Sequence, residues 1–205
     1  MEGYHYIKRG IDIILSGMAI VILSPLLLFL CIAIKLDTQG PILFKQKRVG
    51  IHRSFFQIYK FRTMRIDTPK DVPTHMLENP EQYITKVGKF LRKTSLDELP
   101  QIFNIFKGEM SIVGPRPALW NQDDLVAERE KYGANDVTPG LTGWAQINGR
   151  DELEIDVKAK LDGEYVERMS FLFDCKCFFG TITSVLKHEG VVEGGTGELK
   201  KEVQS

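Results

Sequence analysis

Ile13 to Ile34, "IILSGMAIVILSPLLLFLCIAI", is a run of 22 residues without a charge. That length reaches the range in which a helix spans a bilayer. A secretory signal does not fit, because the run is too long and no small-residue cleavage site follows it. Lys8 and Arg9 precede the run, and Lys35, Lys45, Lys47 and Arg48 follow it. The preference of basic flanks for the cytoplasmic side therefore pulls both ends the same way, and a straight span would leave one flank on the wrong side. Ser24-Pro25, at the middle, offers a solution. Proline removes a backbone donor and crowds the preceding turn, while a serine hydroxyl can bond back to the freed carbonyl and favour a bend. Each half would be about eleven residues, or roughly 17 Å, too short for a hydrocarbon core of about 30 Å. Two readings stand: a proline-kinked spanning helix, and a re-entrant hairpin that enters and leaves by one face.

The remaining composition bounds the rest. With 205 residues, 43% apolar and 26% charged, the chain can build one ordinary core plus an appendage. The formal net charge is zero, which argues against a nucleic-acid partner held by bulk charge. The charge is uneven: Lys35 to Arg65 holds eight Lys/Arg and one acid, whereas Asn121 to Met169 holds twelve acids and six Lys/Arg. Three cysteines, Cys31, Cys175 and Cys177, give no disulfide framework and no zinc spacing, so they read as buried thiols in a reducing compartment. The four histidines are scattered and are assigned no metal.

Past Leu36 the pattern is mixed α/β. "GPILFKQKRVG" and "FFQIYKFRTM" read as short strands around an Arg/Gly turn. Asp67 to Glu81, with three prolines, reads as a loop. From Tyr83 the spacing of Ile84, Val87, Phe90 and Leu91 is helical, on a core or on a membrane surface. "SFLFDCKCFFGTITSVL", Ser170 to Leu186, is core or an interface helix, with the interface favoured; the tail after it is Gly-rich, charged and expected to be flexible.

"SLDELPQ", Ser95 to Gln101, carries two adjacent carboxylates. Ser95 followed three residues later by Glu98 forms a capping box, so a helix is expected to start here and run through "IFNIF". Asp97 and Glu98 could simply complement its dipole. They could equally sit beside a phosphate site at the helix start, with magnesium holding them ionised and receiving phosphate oxygens. Groups that could grip anions occur nearby: Arg116 between two prolines in "SIVGPRPAL", and Lys60 and Arg62 on one strand face in "YKFRTM". "TPGLTGWAQINGR" is turn-rich and reads by itself as a connection.

The ordered set is more specific than its members. A Ser-Pro-broken apolar segment followed by "KFRTM", "SLDELPQ", "IVGPRP" and "PGLTGWAQINGR" resembles the bacterial sugar transferase family, the monotopic phosphoglycosyl transferases, from about Lys8 to Lys187. The resemblance implies a re-entrant membrane helix hairpin over residues 1–36, packed on a small mixed α/β catalytic domain over 37–189 that faces the cytoplasm from the inner membrane. Residues 190–205 are then a tail. Members with an additional N-terminal bundle of membrane helices are longer, so this chain looks like the minimal form. The implied reaction moves a sugar 1-phosphate from a uridine diphosphate (UDP) sugar to undecaprenyl phosphate and releases UMP, with Mg2+ as cofactor. That would be the first membrane step of glycoconjugate synthesis. The family's Asp-Glu pair falls on Asp97, as nucleophile, and Glu98, as its partner at the metal. Implied substrate contacts are Lys60, Arg62, Arg92 and Arg116, together with Gln146, Asn148 and Arg150 of the turn-rich segment. Asp162 and Tyr165 match a D-x-x-Y pattern, Asp162 as a further substrate contact. A homodimer is one option for the assembly. A glycosyltransferase that releases UDP and a non-catalytic membrane scaffold are the rival readings.

Overall fold

The computed structural model describes residues 2–68, 80–149 and 153–186. It begins with α1, Glu2–Asp37, a single helical element with Pro25 inside it. Two short helices broken at Ser24-Pro25 are thus replaced by one continuous helix, and the local chemistry gives the reason. Pro25 has no N–H for the carbonyl of Val21, four residues back. The Ser24 hydroxyl donates to that same carbonyl at 2.8 Å, so the gap in the ladder is closed by a side chain. At about 54 Å of helix, α1 is long and apolar enough to cross a membrane.

Both ends of α1 are nonetheless fixed to the same body. Near its start, Lys8 forms a buried ion pair with Asp174, and the Tyr4 hydroxyl donates to that carboxylate at 2.7 Å. Arg9 donates to the carbonyls of Ile105 and Phe106 at 2.7 and 2.8 Å. Asp12 accepts the Ile112 N–H at 3.0 Å. Toward its end, Leu27, Leu30 and Ile34 form one core cluster with Phe61, Leu91 and Ile102. The Asp37 carboxylate then accepts the Val87 N–H at 3.0 Å. Between these anchors α1 exposes Ile14, Val21, Ile22, Leu28 and Phe29.

The two expected strands form an antiparallel hairpin, β1 (Leu43–Val49) and β2 (Phe55–Phe61). Its turn places His52 and Arg53 at φ of 51° and 57°. The helix expected from Tyr83 is α2 (Lys86–Lys93), capped by Thr85 Oγ1 accepting the Gly88 N–H at 2.8 Å. It is followed by α3 (Gln101–Lys107), β3 (Ser111–Val113), α4 (Asp123–Glu130), β4 (Gly140–Thr142), α5 (Trp144–Ile147), α6 (Ile155–Arg168) and α7 (Phe171–Leu186). β3 pairs parallel with β4, so the turn-rich segment is a strand and a short helix as well as a connection. Glycine makes that pairing possible: a Cβ on Gly140 would lie 2.1 Å from the Gly114 nitrogen, and one on Gly143 would lie 2.1 Å from the Gly114 oxygen.

α7 has two characters. Phe173 and Cys177 are buried in a cluster with Val113, Val137, Tyr165 and Met169, while Phe171, Leu172, Phe178 and Phe179 are exposed. Its sequence is apolar on both sides because one side fills the core and the other stays uncovered. Cys177 is buried, and Cys31 and Cys175 are partly so, all as free thiols. Most of the proline-bearing loop, Arg150 and the expected tail lie outside the described residues.

Candidate active site

The carboxylate pair does not open an α-helix. Leu96–Glu98 is a single 3-10 turn, and α3 begins only at Gln101, after Pro100. Ser95 sits at φ 56°, ψ 17° and its side chain makes no cap bond, so the capping box does not form. The competing force is electrostatic. Glu98 is drawn to two cations: Oε1 accepts from Lys60 Nζ at 2.7 Å and from Arg116 Nη2 at 2.6 Å, and Oε2 lies 3.4 Å from Arg116 Nη1. Charge-assisted bonds of this kind outweigh a cap to a backbone N–H. Lys60 comes from the end of β2 and Arg116 from the segment after β3, so the site joins three stretches distant in sequence.

The two carboxyls are held in opposite senses. Burial alone would raise Glu98, but Arg116 and Lys60 overturn that and hold its carboxyl far below the ordinary range. Burial pushes Asp97 up and the Glu98 charge adds to the rise, with Lys60 and Arg92 pulling against it. Glu98 is thus held as an anion, whereas the charged form of Asp97 is disfavoured by burial and by the Glu98 charge.

Other candidate residues divide by location. Arg92 acts on Asp97 through its charge and donates from Nε to Thr63 Oγ1 at 3.0 Å. Arg62 is buried and donates to the carbonyls of Gln39 and Thr38 at 2.7 and 3.0 Å; it fastens the end of α1, away from the face Lys60 uses. β2 ends at Phe61, which is why strand alternation no longer governs Arg62. The Gln146 amide is buried and has no hydrogen-bond partner among the described residues. Asn148 is exposed and donates to the Trp144 carbonyl at 2.7 Å, closing α5. Asp162 is 1% exposed and accepts from Arg129, so it lies behind the site, with no face open to a substrate. Tyr165, also 1% exposed, donates to Asp174 at 2.7 Å and lies 3.2 Å from the Val113 carbonyl.

Sequence reasoning missed Arg129, Arg48, Asp174 and Asn104. Asn104 is bonded through both ends of its amide: Oδ1 accepts the Tyr59 N–H, and Nδ2 donates to the Gln57 carbonyl and Glu109. It thereby holds β2, and Lys60 with it, against α3. Asn104 stands in the quoted "IFNIF" run, where one amide among four apolar residues marks a buried polar position.

Among the described residues no group of three or more His, Cys, Asp or Glu could cage a metal. Asp97 and Glu98 are the carboxylates that would hold Mg2+ here, an ion commonly bound by one or two carboxylates plus substrate phosphates.

Comparison with known proteins identifies the family. The pattern of the Bacterial sugar transferase family matches residues 3–188. The chain is 40% identical over 185 residues to the "Uncharacterized sugar transferase EpsL" of Bacillus subtilis, covering 90% of each. It is 40% identical over 189 residues to the "UDP-glucose:undecaprenyl-phosphate glucose-1-phosphate transferase" of Escherichia coli, covering 86% of this chain and 39% of that protein. With the "UDP-N-acetylgalactosamine-undecaprenyl-phosphate N-acetylgalactosaminephosphotransferase" of Aeromonas hydrophila it shares 38% identity over 189 residues, 89% of this chain and 44% of that one. The chain therefore spans less than half the length of these two relatives with assigned substrates.

Proposed function

Because the chain belongs to the bacterial sugar transferase family, we propose that it transfers a sugar 1-phosphate from a UDP-sugar to undecaprenyl phosphate and releases UMP. The convergence of Lys60 and Arg116 on Glu98, with Asp97 at its side, is the observation that carries this reading. Two cations held by one carboxylate keep their other donors in one place, where phosphate oxygens of a dianionic donor are received. The Asp97 carboxylate oxygen attacks the phosphorus that bears the sugar, the bond from that phosphorus to the bridging oxygen breaks, and UMP leaves. An oxygen of undecaprenyl phosphate then attacks the same phosphorus, freeing Asp97 and forming the lipid diphosphate sugar. Dividing the transfer in two lets a soluble donor and a lipid acceptor meet the site in turn. Asp97 and Glu98 would hold Mg2+ there. The ion supplies neutralisation of charge on the diphosphate.

The membrane part of the reading is that α1 seats in the bilayer with both ends on the cytoplasmic side of the inner membrane. Its exposed apolar face and its two anchored ends support this. The reaction would then open the assembly of a polysaccharide or other glycan on the lipid.

The test is a nucleotide-product assay with Mg2+, undecaprenyl phosphate and a panel of UDP-sugars that includes glucose and N-acetylgalactosamine. UMP is expected; release of UDP would assign a simple glycosyltransferase, and no nucleotide product with any donor would favour a scaffold. Without lipid, wild type should release UMP up to one equivalent and carry a phosphosugar on Asp97 by mass spectrometry, and Asp97→Asn should do neither. UMP formed only after lipid is added, with no adduct, would replace the two-step scheme by direct transfer.

A further inference from the structure

Arg116 stands in a segment with unusually little freedom. Pro115 and Pro117 have fixed φ and no N–H, and three consecutive carbonyls each accept a hydrogen bond. Pro115 accepts from the Gly140 N–H at 2.8 Å, Arg116 from Arg129 Nη2 at 2.9 Å, and Pro117 from Arg48 Nη1 at 3.0 Å. Arg129 itself is held from behind: its Nε and Nη2 donate to Asp162 Oδ2 at 2.8 and 2.6 Å. The two side chains are only 5% and 1% exposed, so neither meets a substrate. A buried ion pair of this kind returns little net stability over an apolar pair of the same size. What it does provide is direction, because a planar guanidinium fixed on a carboxylate aims the second N–H of Nη2 along one line. That line ends on the main chain of the residue whose side chain grips Glu98.

We propose that Arg129, oriented by Asp162, is a positioning residue that fixes the Arg116 main chain and hence the guanidinium over the phosphate site. The inference rests on the transferase reading above. α6 and α4 act on the chemistry through one hydrogen bond, without touching substrate. The D-x-x-Y stretch contributes at two points of the run that leads from β3 to the site: Asp162 through Arg129 to the Arg116 carbonyl, and Tyr165 beside the Val113 carbonyl at the end of β3.

The test removes the tie while sparing the fold. Arg129→Met combined with Asp162→Leu replaces the pair by apolar side chains, which leaves no orphaned charge. We expect the double variant to melt within a few degrees of wild type, and its kcat/KM for UMP release to fall by about tenfold to a hundredfold, the range for a displaced catalytic group. UMP affinity by calorimetry should fall with it. Arg116→Lys, costly in the wild-type background, should cost less than about twofold more in the double variant, since the grip is already lost. Wild-type kinetics in the folded double variant overturn the proposal, as does the same cost for Arg116→Lys in both backgrounds. Should the apolar pair fail to fold, Arg129→Lys keeps the charge on Asp162 but gives up the planar fork; unchanged melting with reduced kcat/KM is expected, and wild-type kinetics there overturn it equally. Absence of UMP formation by wild type itself would overturn the transferase reading instead.

Discussion

At the scale of single residues, Asp97 and Glu98 are neighbours with opposite effects on the fold. Asp97 has its carboxyl raised, chiefly by burial, so its ionised form is less welcome folded than unfolded. Its contribution is most favourable below the unfolded value of about 4 and is lost as pH rises through the raised folded value. Glu98 is depressed by Arg116 and Lys60, so its contribution is present above about 4 and is lost as pH falls toward its low folded value. Asp97→Asn should therefore raise the melting temperature at pH 7, and Glu98→Gln should lower it, each by about 2–4 °C per kcal/mol. Both differences should shrink below pH 4. Thermal unfolding across pH 3.5 to 8 measures this, and shifts of the same sign at pH 7 would refute it. A site that stores an unfavourable charge at the reacting group is one where function costs stability. Arg116 was legible in the sequence as a charge between two prolines, and the dyad through its place in the ordered set of motifs. Arg129 was not, since it is one of six basic residues among the twelve acids of Asn121 to Met169 and nothing local sets it apart.

At the scale of elements, legibility followed how local the determining force was. The hairpin is governed by alternation and appeared where the sequence put it, whereas α2 starts at Lys86, after the Thr85 cap and later than the expected Tyr83, because Ile84 forms a bridge with Met64. "SLDELPQ" failed as a helix start because Lys60 and Arg116, 38 and 18 residues away, take Glu98 for themselves. "PGLTGW" concealed a strand because its glycines mark backbone contact with a distant partner as well as turns. This makes a prediction about two glycines. Gly140→Ala places a Cβ 2.1 Å from the Gly114 nitrogen, where backbone must yield, and should cost at least about 1–3 kcal/mol or prevent folding. Gly133→Ala has nothing within 4 Å and suffers only from its φ of +65°, a cost of about 1–2 kcal/mol. Denaturant unfolding of the two variants compares them. Because β3 leads straight into Arg116, activity should fall with Gly140→Ala in any protein that does fold, and should be retained by Gly133→Ala.

At the scale of the whole molecule, the question is how a helix long enough to cross a bilayer belongs to a domain that holds it at both ends. The sequence argued from basic flanks, and the structure changes what those flanks do. Lys8 is paired with Asp174, and Arg9, still charged, donates to the carbonyls of Ile105 and Phe106, so both are bonded to the domain. They keep the start of α1 with the domain because they are bonded to it. At the other end, Arg62 and the cluster of Ile34, Leu91 and Phe61 do the same. To place its ends on opposite sides of a bilayer, α1 would have to abandon one of these sets, leaving Asp174 without its cation or Arg62 without the carbonyls of Thr38 and Gln39, at a cost of about 3–5 kcal/mol for a broken buried ion pair alone. Single cysteines in place of His5 and Gln39, both exposed, should accordingly label from the same side when Cys31, Cys175 and Cys177 are replaced. In right-side-out and inverted vesicles, a membrane-impermeant maleimide should reach both positions only from the cytoplasmic face. Labelling of His5→Cys from the opposite face would show that α1 spans. In that case Lys8→Ala should leave the melting temperature unchanged, because its pair with Asp174 would not exist in the membrane; with both ends on one side, the same substitution strands Asp174 and lowers it.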